Sequence, residues 1–128
     1  MIYCASTMQH DTPLSDHAIE SIAARFRVLG EPNRLRLIQV LRDGEKSVTE
    51  LVQLLELTQA NVSKHLGTLA DSGILARRKE GVNVYYYIAD ASIFDLCELV
   101  CGSLQKRLEQ GQSAFNQITL EESRDLSK

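Results

Sequence analysis

The chain has 128 residues, enough for one domain with a buried core. Its formal net charge of −3 argues against a protein that coats nucleic acid non-specifically. No apolar run reaches the roughly 20 residues of a membrane-spanning helix, and the N-terminus lacks the pattern of a signal peptide, so we expect a cytoplasmic protein. The cysteines number three, and an odd count argues against a disulfide framework, so we expect reduced thiols.

The pattern of apolar residues divides the chain into three parts. Residues 1–15 lack helical or strand periodicity, so we expect a flexible arm. Residues 16–110 carry continuous periodic patterns and are predicted to form one folded domain. Residues 111–128 are polar, have no apolar stripe and are predicted to be disordered.

Two helices are predicted at the start of this domain. Ser15 or Asp16 could cap the first helix, which ends at Gly30. Its apolar residues follow one stripe: Ile19, Ile22, Ala23, Phe26 and Leu29. Pro32 opens the second helix at the first helical position, where its missing N–H costs little. The second helix is apolar on most sides, so we expect it to be the central buried helix.

A helix-turn-helix pattern follows, between Ser47 and Gly73. Ser47 and Glu50 have the spacing of a capping box, which starts the first helix of the pair. A tight break at Leu57-Thr58 separates it from a second helix of small and polar residues. The apolar residues of the second helix are predicted to face inward: Val62, Leu66 and Leu69. Because its outward face is short and polar, this helix is suited to enter a DNA major groove.

The expected base contacts lie on the outward face of this second helix. Amides suit adenine, lysine suits guanine or a phosphate, and hydroxyls suit phosphates or base edges. The candidate residues are Gln59, Asn61, Ser63, Lys64 and Thr68. His65 sits at the edge of the inward face, so we expect it to pack or to form hydrogen bonds rather than to read a base.

A basic hairpin comes directly after the helix pair. Two strands are predicted, at residues 74–80 and 83–88, joined by a glycine turn. Successive residues of a strand alternate faces, so the three consecutive cations of the first strand cannot all reach one phosphate track. We favour Arg78 and Lys79 as phosphate contacts, with Asn83 across the turn. The three consecutive tyrosines of the second strand are expected to pack rather than to stack on bases.

These polar side chains have a second interpretation, as the solvated surface of a winged-helix interaction module that binds no DNA. The distribution of charge favours DNA binding. Residues 59–84 contain four lysines and arginines against two carboxylates, whereas residues 1–20 contain no lysine or arginine. An acidic body with a local basic face would limit non-specific binding while it keeps phosphate contacts.

The last predicted helix is capped by Asp90-Ala91-Ser92 and runs to about Gln110. Its residues at the 3-4-3-4 spacing of a coiled coil form an apolar seam: Phe94, Cys97, Cys101, Leu104 and Leu108. A separate apolar flank could pack on the chain's own body, which leaves the seam for a second partner. The simplest partner is the same helix of another copy, so the seam predicts a homodimer.

Cys97 and Cys101 have two interpretations. Free cysteine is often buried as a small hydrophobic residue, so both could be seam packing. Alternatively they form a sensor, because residues four apart on a helix share a face with Cβ atoms about 5–6 Å apart. That gap strains a direct disulfide, whose Cβ atoms lie about 3.5–4.5 Å apart, and favours a shared soft metal, a polysulfide or a disulfide across the dimer axis. Cys4 could add a third thiolate for trivalent arsenic or antimony, or be incidental.

The sequence offers no candidate active site. It contains no nucleophile–base pair, phosphate-binding loop or pair of carboxylates at a useful spacing. A thiol oxidoreductase would carry Cys-x-x-Cys at the start of a helix, whereas Cys97 and Cys101 lie in mid-helix. We therefore do not expect an enzyme.

The chain resembles the ArsR/SmtB family of bacterial winged-helix repressors. The resemblance covers residues 16–110 and is carried by four stretches: Leu29 to Leu37, Ser47 to Leu51, Thr58 to Leu66, and Val84 to Tyr87. It implies a mainly α winged helix-turn-helix fold of about five helices with a small two-stranded β-hairpin. It also implies a homodimer, packed through its first and last helices, that sits on a palindromic DNA operator and leaves when a signal binds.

The family's usual sensor residues are missing. Other residues stand at their positions: Ser47 and Thr49 for the Cys-x-Cys of arsenic and cadmium sensors, and Cys97, Leu108 and Gly111 within the zinc-sensor pattern. The second helix, residues 31–42, also lacks the cysteine that sulfide sensors pair with one on the last helix. We therefore predict a repressor released by a thiol-reactive signal, either a metalloid or soft metal or a reactive sulfur species or oxidant, at Cys97 and Cys101. The alternative is a repressor with structural cysteines and another inducer.

Overall fold

The computed structural model describes residues 13–111, which contain helices α1 to α5 and strands β1 to β3. In chain order they are α1 (Asp16–Leu29), α2 (Pro32–Leu41), β1 (Lys46–Ser47), α3 (Val48–Leu55), α4 (Gln59–Asp71), β2 (Leu75–Glu80), β3 (Asn83–Ile88) and α5 (Ser92–Glu109). Elements α1 to β3 belong to one compact unit, and α5 belongs to a second. Most of the predicted arm, with Cys4, and most of the predicted tail lie outside the described residues.

Helices α1, α2 and α3 begin where the local signals predict. Ser15 caps α1, and its hydroxyl accepts a hydrogen bond from the Ala18 N–H at 3.1 Å. Pro32 occupies the first turn of α2. At α3, the Ser47 hydroxyl accepts from the Glu50 N–H at 3.2 Å, and the Glu50 carboxylate accepts from the Ser47 N–H at 3.0 Å. This complete capping box lowers the pKa of Glu50 below its usual value, because the backbone N–H of Ser47 stabilises the charged carboxylate.

The core is built mainly from α2, α3, α4 and the start of β2. Its fully buried side chains are Leu37, Ile38, Leu41, Leu51, Val62, Leu66, Leu69, Ile74 and Leu75. Each such side chain contributes about 1.5–3 kcal/mol of hydrophobic free energy. The stripe predicted on α1 is only partly in this core, since Ile19 and Phe26 are 50% and 51% exposed. Helix α1 therefore presents an apolar surface to solvent in the single chain.

The wing has one more strand than predicted. Strands β2 and β3 pair antiparallel as expected, and Gly81 turns between them with a φ of 62°. The additional strand β1 pairs with β3 on its other edge, where Lys46 lies opposite Tyr86, so the strand order is β1-β3-β2. Strand β1 spans only two residues, too few to show a strand period, which is why the sequence pattern did not reveal it.

The turn between α3 and α4 fixes how α4 leaves the core. Glu56 ends α3 with a φ of 54° and a ψ of 40°, a left-handed conformation that stops the helix. Thr58 then caps α4, and its hydroxyl accepts from the Asn61 N–H at 3.2 Å. Together the two residues hold the N-terminal turn of α4 at the protein surface. No helix in the described range is long and apolar enough to cross a membrane.

Candidate DNA-binding surface and cysteine pair

Helix α4 has one buried face and one polar exposed face. Val62, Leu66 and Leu69 are fully buried, and the exposed polar side chains at its N-terminal end are Gln59, Asn61, Ser63 and Lys64. The division of faces predicted from the sequence is confirmed. Thr68 differs from the other candidates because it is half-buried and its hydroxyl donates to the Lys64 carbonyl at 3.1 Å. Only the lone pairs of that hydroxyl remain free for another donor.

His65 lies on the inner side of α4, as expected. It is 8% exposed, and its Nδ1 accepts a hydrogen bond from Nε of Arg34 at 3.2 Å. Its Nε2 lies 3.5 Å from a carboxylate oxygen of Glu31. The histidine thus joins α4 to the N-terminal turn of α2.

The register of the wing separates its three cations. Arg77 lies opposite the buried Tyr86 and Lys79 opposite Val84, so these two cations share one face of the hairpin. Arg78 points to the other face. All three side chains are exposed, but Arg78 and Lys79 cannot follow one phosphate track along the same face.

Arg78 is engaged by two carboxylates. Its Nε and Nη2 donate to the two carboxylate oxygens of Glu45 at 3.2 and 2.6 Å, and its Nη1 donates to Glu80 at 2.6 Å. The guanidinium also lies 4.9 Å from the ring centroid of Tyr85. These hydrogen bonds raise the pKa of Arg78 and lower the pKa of Glu45 from their usual values. Glu45 was missed in the sequence because it is 33 residues away from Arg78.

Three other candidate cations differ from Arg78 because they have no acidic partner in the described part of the chain. Within residues 13–111, no carboxylate lies at ion-pair distance from Lys64, Arg77 or Lys79. Asn83 is exposed at the turn of the hairpin, opposite Glu80. The polar face of α4 and one face of the wing therefore carry positive charge that no acidic group of the described chain neutralises.

Helix α5 carries the two described cysteines and an exposed apolar surface. Ile93 is buried, Phe94, Cys97 and Leu108 are half-buried, and Cys101 is exposed. Leu104 is 53% exposed. Leu99, which lies off the predicted seam and was not among the predicted interface residues, is 73% exposed.

The cysteine pair supplies thiols but no complete metal site. Cys97 and Cys101 are both free, one turn apart on α5. Among the described residues, no group of three or more histidines, cysteines and carboxylates is placed to hold a metal ion. The pair can therefore offer two sulfur ligands to a soft ion, and a third ligand would have to come from outside the described range or from a second copy.

Comparison with known proteins identifies the family. Residues 29–78 match a family of helix-turn-helix domains. The chain is 35% identical over 80 residues to a probable mercury resistance operon repressor of Streptomyces lividans, a match that spans 62% of this chain and 64% of that relative. It is 30% identical over 87 residues to the cadmium resistance transcriptional regulatory protein CadC of Listeria innocua, which covers 67% of this chain and 73% of the relative.

A solved structure agrees with the sequence relatives. The crystal structure of Rv0081 from Mycobacterium tuberculosis is similar with a TM-score of 0.67 and 30% sequence identity. The similarity covers 75% of this chain and 97% of that one. The chain therefore belongs to the ArsR/SmtB family of winged helix-turn-helix proteins, which are DNA-binding transcriptional regulators and not enzymes.

Proposed function

We propose that this protein is a transcriptional repressor that binds a palindromic operator as a homodimer. The observation that carries the proposal is the face of α4, where exposed amides and Lys64 stand on a helix whose other face is fully buried. Such a helix can enter a major groove without losing any contact of the core. The relatives named as a mercury resistance repressor and a cadmium resistance regulator support the same activity.

In this proposal, side chains of the N-terminal half of α4 contact the bases. Gln59 and Asn61 can each pair with the N6 and N7 atoms of adenine, and Lys64 can donate to guanine or to a phosphate. The hydroxyl of Ser63 can donate or accept. Thr68, whose hydroxyl hydrogen is already used within the helix, would serve only as an acceptor.

The wing would supply phosphate contacts. Lys79 is the strongest candidate because it is exposed, lies near the turn and is paired with no carboxylate of the described chain. Asn83 at the turn could donate an additional hydrogen bond. Arg78 has a different part in this proposal, because its positive charge offsets part of the negative charge of Glu45 and Glu80, which would otherwise repel the DNA backbone more strongly.

A selection experiment tests the proposed activity directly. Purified protein is incubated with a random pool of DNA duplexes, and bound duplexes are amplified over several rounds. We expect enrichment of a palindrome whose half-sites lie about one helical turn apart, with binding that weakens steeply as salt increases. Enrichment of no sequence, with equal retention of every duplex, would contradict a repressor of defined operators.

The wing assignment gives a first prediction. Lys79→Ala should weaken binding to the operator and to unrelated duplexes alike, because phosphates carry no sequence information. The slope of log affinity against log salt should become shallower by about 0.9, the value for one lost phosphate contact. Salt titrations monitored by fluorescence anisotropy measure both quantities.

The control for this prediction removes Arg78 together with its partners. In Arg78→Ala/Glu45→Gln/Glu80→Gln one positive and two negative charges are removed and neither carboxylate is left unpaired, so the salt slope should be no shallower than that of the parent protein. A slope as shallow as that of Lys79→Ala would mean that Arg78 itself contacts a phosphate. Parental binding by Lys79→Ala would remove Lys79 from the interface.

We further propose that Cys97 and Cys101 are the sensor of the repressor. Both thiols are free and share one face of α5, and at least Cys101 is open to solvent. A soft ion or a chain of sulfur atoms that bridges them would change the seam on which the two copies meet. Because the half-sites of the operator are fixed in spacing, a small shift of the copies would lower affinity without touching α4. The alternative function is a repressor whose cysteines are only packing.

The second prediction tests this sensor. Mercuric ion, arsenite, antimonite, persulfide and peroxide are added in parallel to the complex of protein and selected operator. At least one should lower the affinity of the parent by about 5–150-fold, the usual range of such coupling. Cys97→Ser and Cys101→Ser should bind the operator normally but stay bound when the effective reagent is added, because one thiol cannot form the bridge.

Two further variants separate the possible chemistries. Cys4→Ser should abolish the response only if the effective reagent is a trivalent ion that takes three thiolates. Cys97→Ser/Cys101→Ser serves as the decisive control. If this double variant is released as readily as the parent, the cysteines are packing residues and the signal enters elsewhere.

A further inference from the structure

A polar network connects the candidate recognition helix α4 to α2. Its centre is His65, which is 8% exposed and directly follows Lys64 in the chain. Nε of Arg34 donates to Nδ1 of His65 at 3.2 Å, and Nη1 of Arg34 donates to the Val28 carbonyl at 3.0 Å. On the other side of the ring, Nε2 lies 3.5 Å from the Glu31 carboxylate. One arginine therefore ties the end of α1 to the middle of α4.

The donors of the network determine the state of the imidazole. An arginine Nε can donate a hydrogen bond but cannot accept one, so Nδ1 of His65 must be the unprotonated acceptor. The proton is then on Nε2, which faces the carboxylate of Glu31. Glu31 and Arg34, at the N-terminal end of α2, therefore contact opposite sides of the imidazole ring and favour one orientation of it.

One other directional contact holds α4, a hydrogen bond at its C-terminal cap from Nη2 of Arg25 to the Ser72 carbonyl at 3.1 Å, whereas its buried side chains make apolar contacts. Val62, Leu66 and Leu69 are buried apolar side chains, and hydrophobic burial depends on area rather than on angle. A helix held by these contacts alone could rotate slightly about its axis at little cost. The hydrogen bond from Arg34 to His65 weakens steeply when its angle changes, so it resists such a rotation.

Rotation of α4 would affect DNA recognition. Asn61 precedes His65 by one turn and lies on the neighbouring exposed surface, and Lys64 is adjacent in the chain. Side chains that read bases must be held to within about 0.5 Å of their productive positions. We propose that Arg34 and His65 are positioning residues, which set the rotation of α4 so that Asn61 and Lys64 reach the base edges. This inference rests on the proposed DNA-binding function, but it requires neither Arg34 nor His65 to touch DNA.

Three substitutions of His65 distinguish its hydrogen bond with Arg34 from its contact with Glu31. In His65→Asn the amide oxygen can occupy the position of Nδ1 and accept from Arg34. In His65→Gln the polar atoms lie farther out, near the position of Nε2, and the acceptor for Arg34 is lost. His65→Leu removes both interactions and leaves the Arg34 Nε without a partner.

We expect the affinity for the operator to depend on whether residue 65 can accept the hydrogen bond from Arg34. His65→Gln and His65→Leu should bind the selected operator about tenfold more weakly than the parent, whereas His65→Asn should stay within about threefold. Affinity for an unrelated duplex and the salt slope should not change in any of them, because no phosphate contact is lost. A merely structural residue would lower the thermal midpoint but leave the ratio of specific to non-specific affinity unchanged.

Arg34→Met tests the same interaction from the other partner and serves if a His65 variant does not fold. It should lose the same specificity. The double variant Arg34→Met/His65→Leu should bind the operator as strongly as either single variant, because each single change already removes the same hydrogen bond. Arg36→Met is the matched control. Arg36 is an exposed arginine of the same helix that donates to Asn33 and not to α4, so its loss should leave specificity as in the parent.

Two results would overturn the inference while the proposed function stands. One is parental specificity in folded His65→Gln, His65→Leu and Arg34→Met, which would make the network purely structural. The other is an equal loss of specific and non-specific affinity with a shallower salt slope, which would mean direct contact with phosphate. If the parent itself selects no operator, the proposed function fails, and this inference fails with it.

Discussion

Replacing Asn61 and Lys64 together by alanine should abolish sequence-specific DNA binding while the protein stays folded. Both side chains are exposed on α4, so their removal should change the free energy of unfolding by no more than about 0.5 kcal/mol. A side chain that reads a base edge contributes about 1–3 kcal/mol of discrimination, so the pair should contribute about 2–6 kcal/mol. The selected operator and an unrelated duplex should then bind with nearly equal affinity, as competition in a gel retardation assay would measure.

The matched control removes an amide and a cation elsewhere on the surface. Arg36→Ala/Gln39→Ala makes the same change in charge on exposed positions of α2 and should leave operator affinity as in the parent. Parental discrimination by Asn61→Ala/Lys64→Ala would show that another surface reads the DNA. Loss of binding by both double variants would indicate a general effect of charge rather than base reading.

The parts of the fold that sequence analysis predicted correctly depend on interactions within one or two helical turns. The capping box of Ser47 and Glu50 closes over three residues, and both of its hydrogen bonds are present. The buried face of α4 follows from the helical period, since Val62, Leu66 and Leu69 lie on one side. Local patterns of this kind need no knowledge of the rest of the chain.

The features that were missed depend on partners far apart in the sequence. Arg78 meets Glu45 across 33 residues, and Arg34 meets His65 across 31 residues. The pattern around each residue gives no sign of such a partner, so Arg78 resembled a free cation and its involvement in a carboxylate cluster could not be predicted. The fold brings these pairs together only after the helices and the wing have packed.

The start of α5 shows how a tertiary partner can override a local signal. The run Asp90-Ala91-Ser92 predicted a side-chain cap, but Ala91 occupies the N-cap position and no side chain caps the helix there. The carboxylate of Asp90 instead lies 3.5 Å from a guanidinium nitrogen of Arg25 on α1. The side-chain cap that the sequence pattern favours is therefore absent, and Asp90 forms an ion pair with a residue of another helix.

Leu104→Asp should convert the protein into monomers and abolish operator binding. Leu104 is 53% exposed in the single chain and lies on the predicted seam of α5, one turn from Cys101. If a second copy covers this seam, an aspartate would place an unpaired charge in an apolar interface, which is strongly disfavoured. A dimer that holds both half-sites gains about 10²–10⁴-fold in affinity over a single unit, so dissociation should remove operator binding at ordinary concentrations. Sedimentation velocity and gel retardation measure the two effects.

A control substitution on another side of α5 tests whether the effect is specific to the seam. Leu99 is even more exposed, at 73%, but lies off the 3-4-3-4 spacing, so Leu99→Asp should remain a dimer that binds its operator. Because both side chains are exposed in one copy, neither change should unfold the monomer, and circular dichroism should be that of the parent. The opposite outcome, with a dimeric Leu104→Asp and a monomeric Leu99→Asp, would place the interface on the other side of α5. The cysteines would then lie away from the contact between copies, and a bridge between them could not release the operator by shifting the two copies.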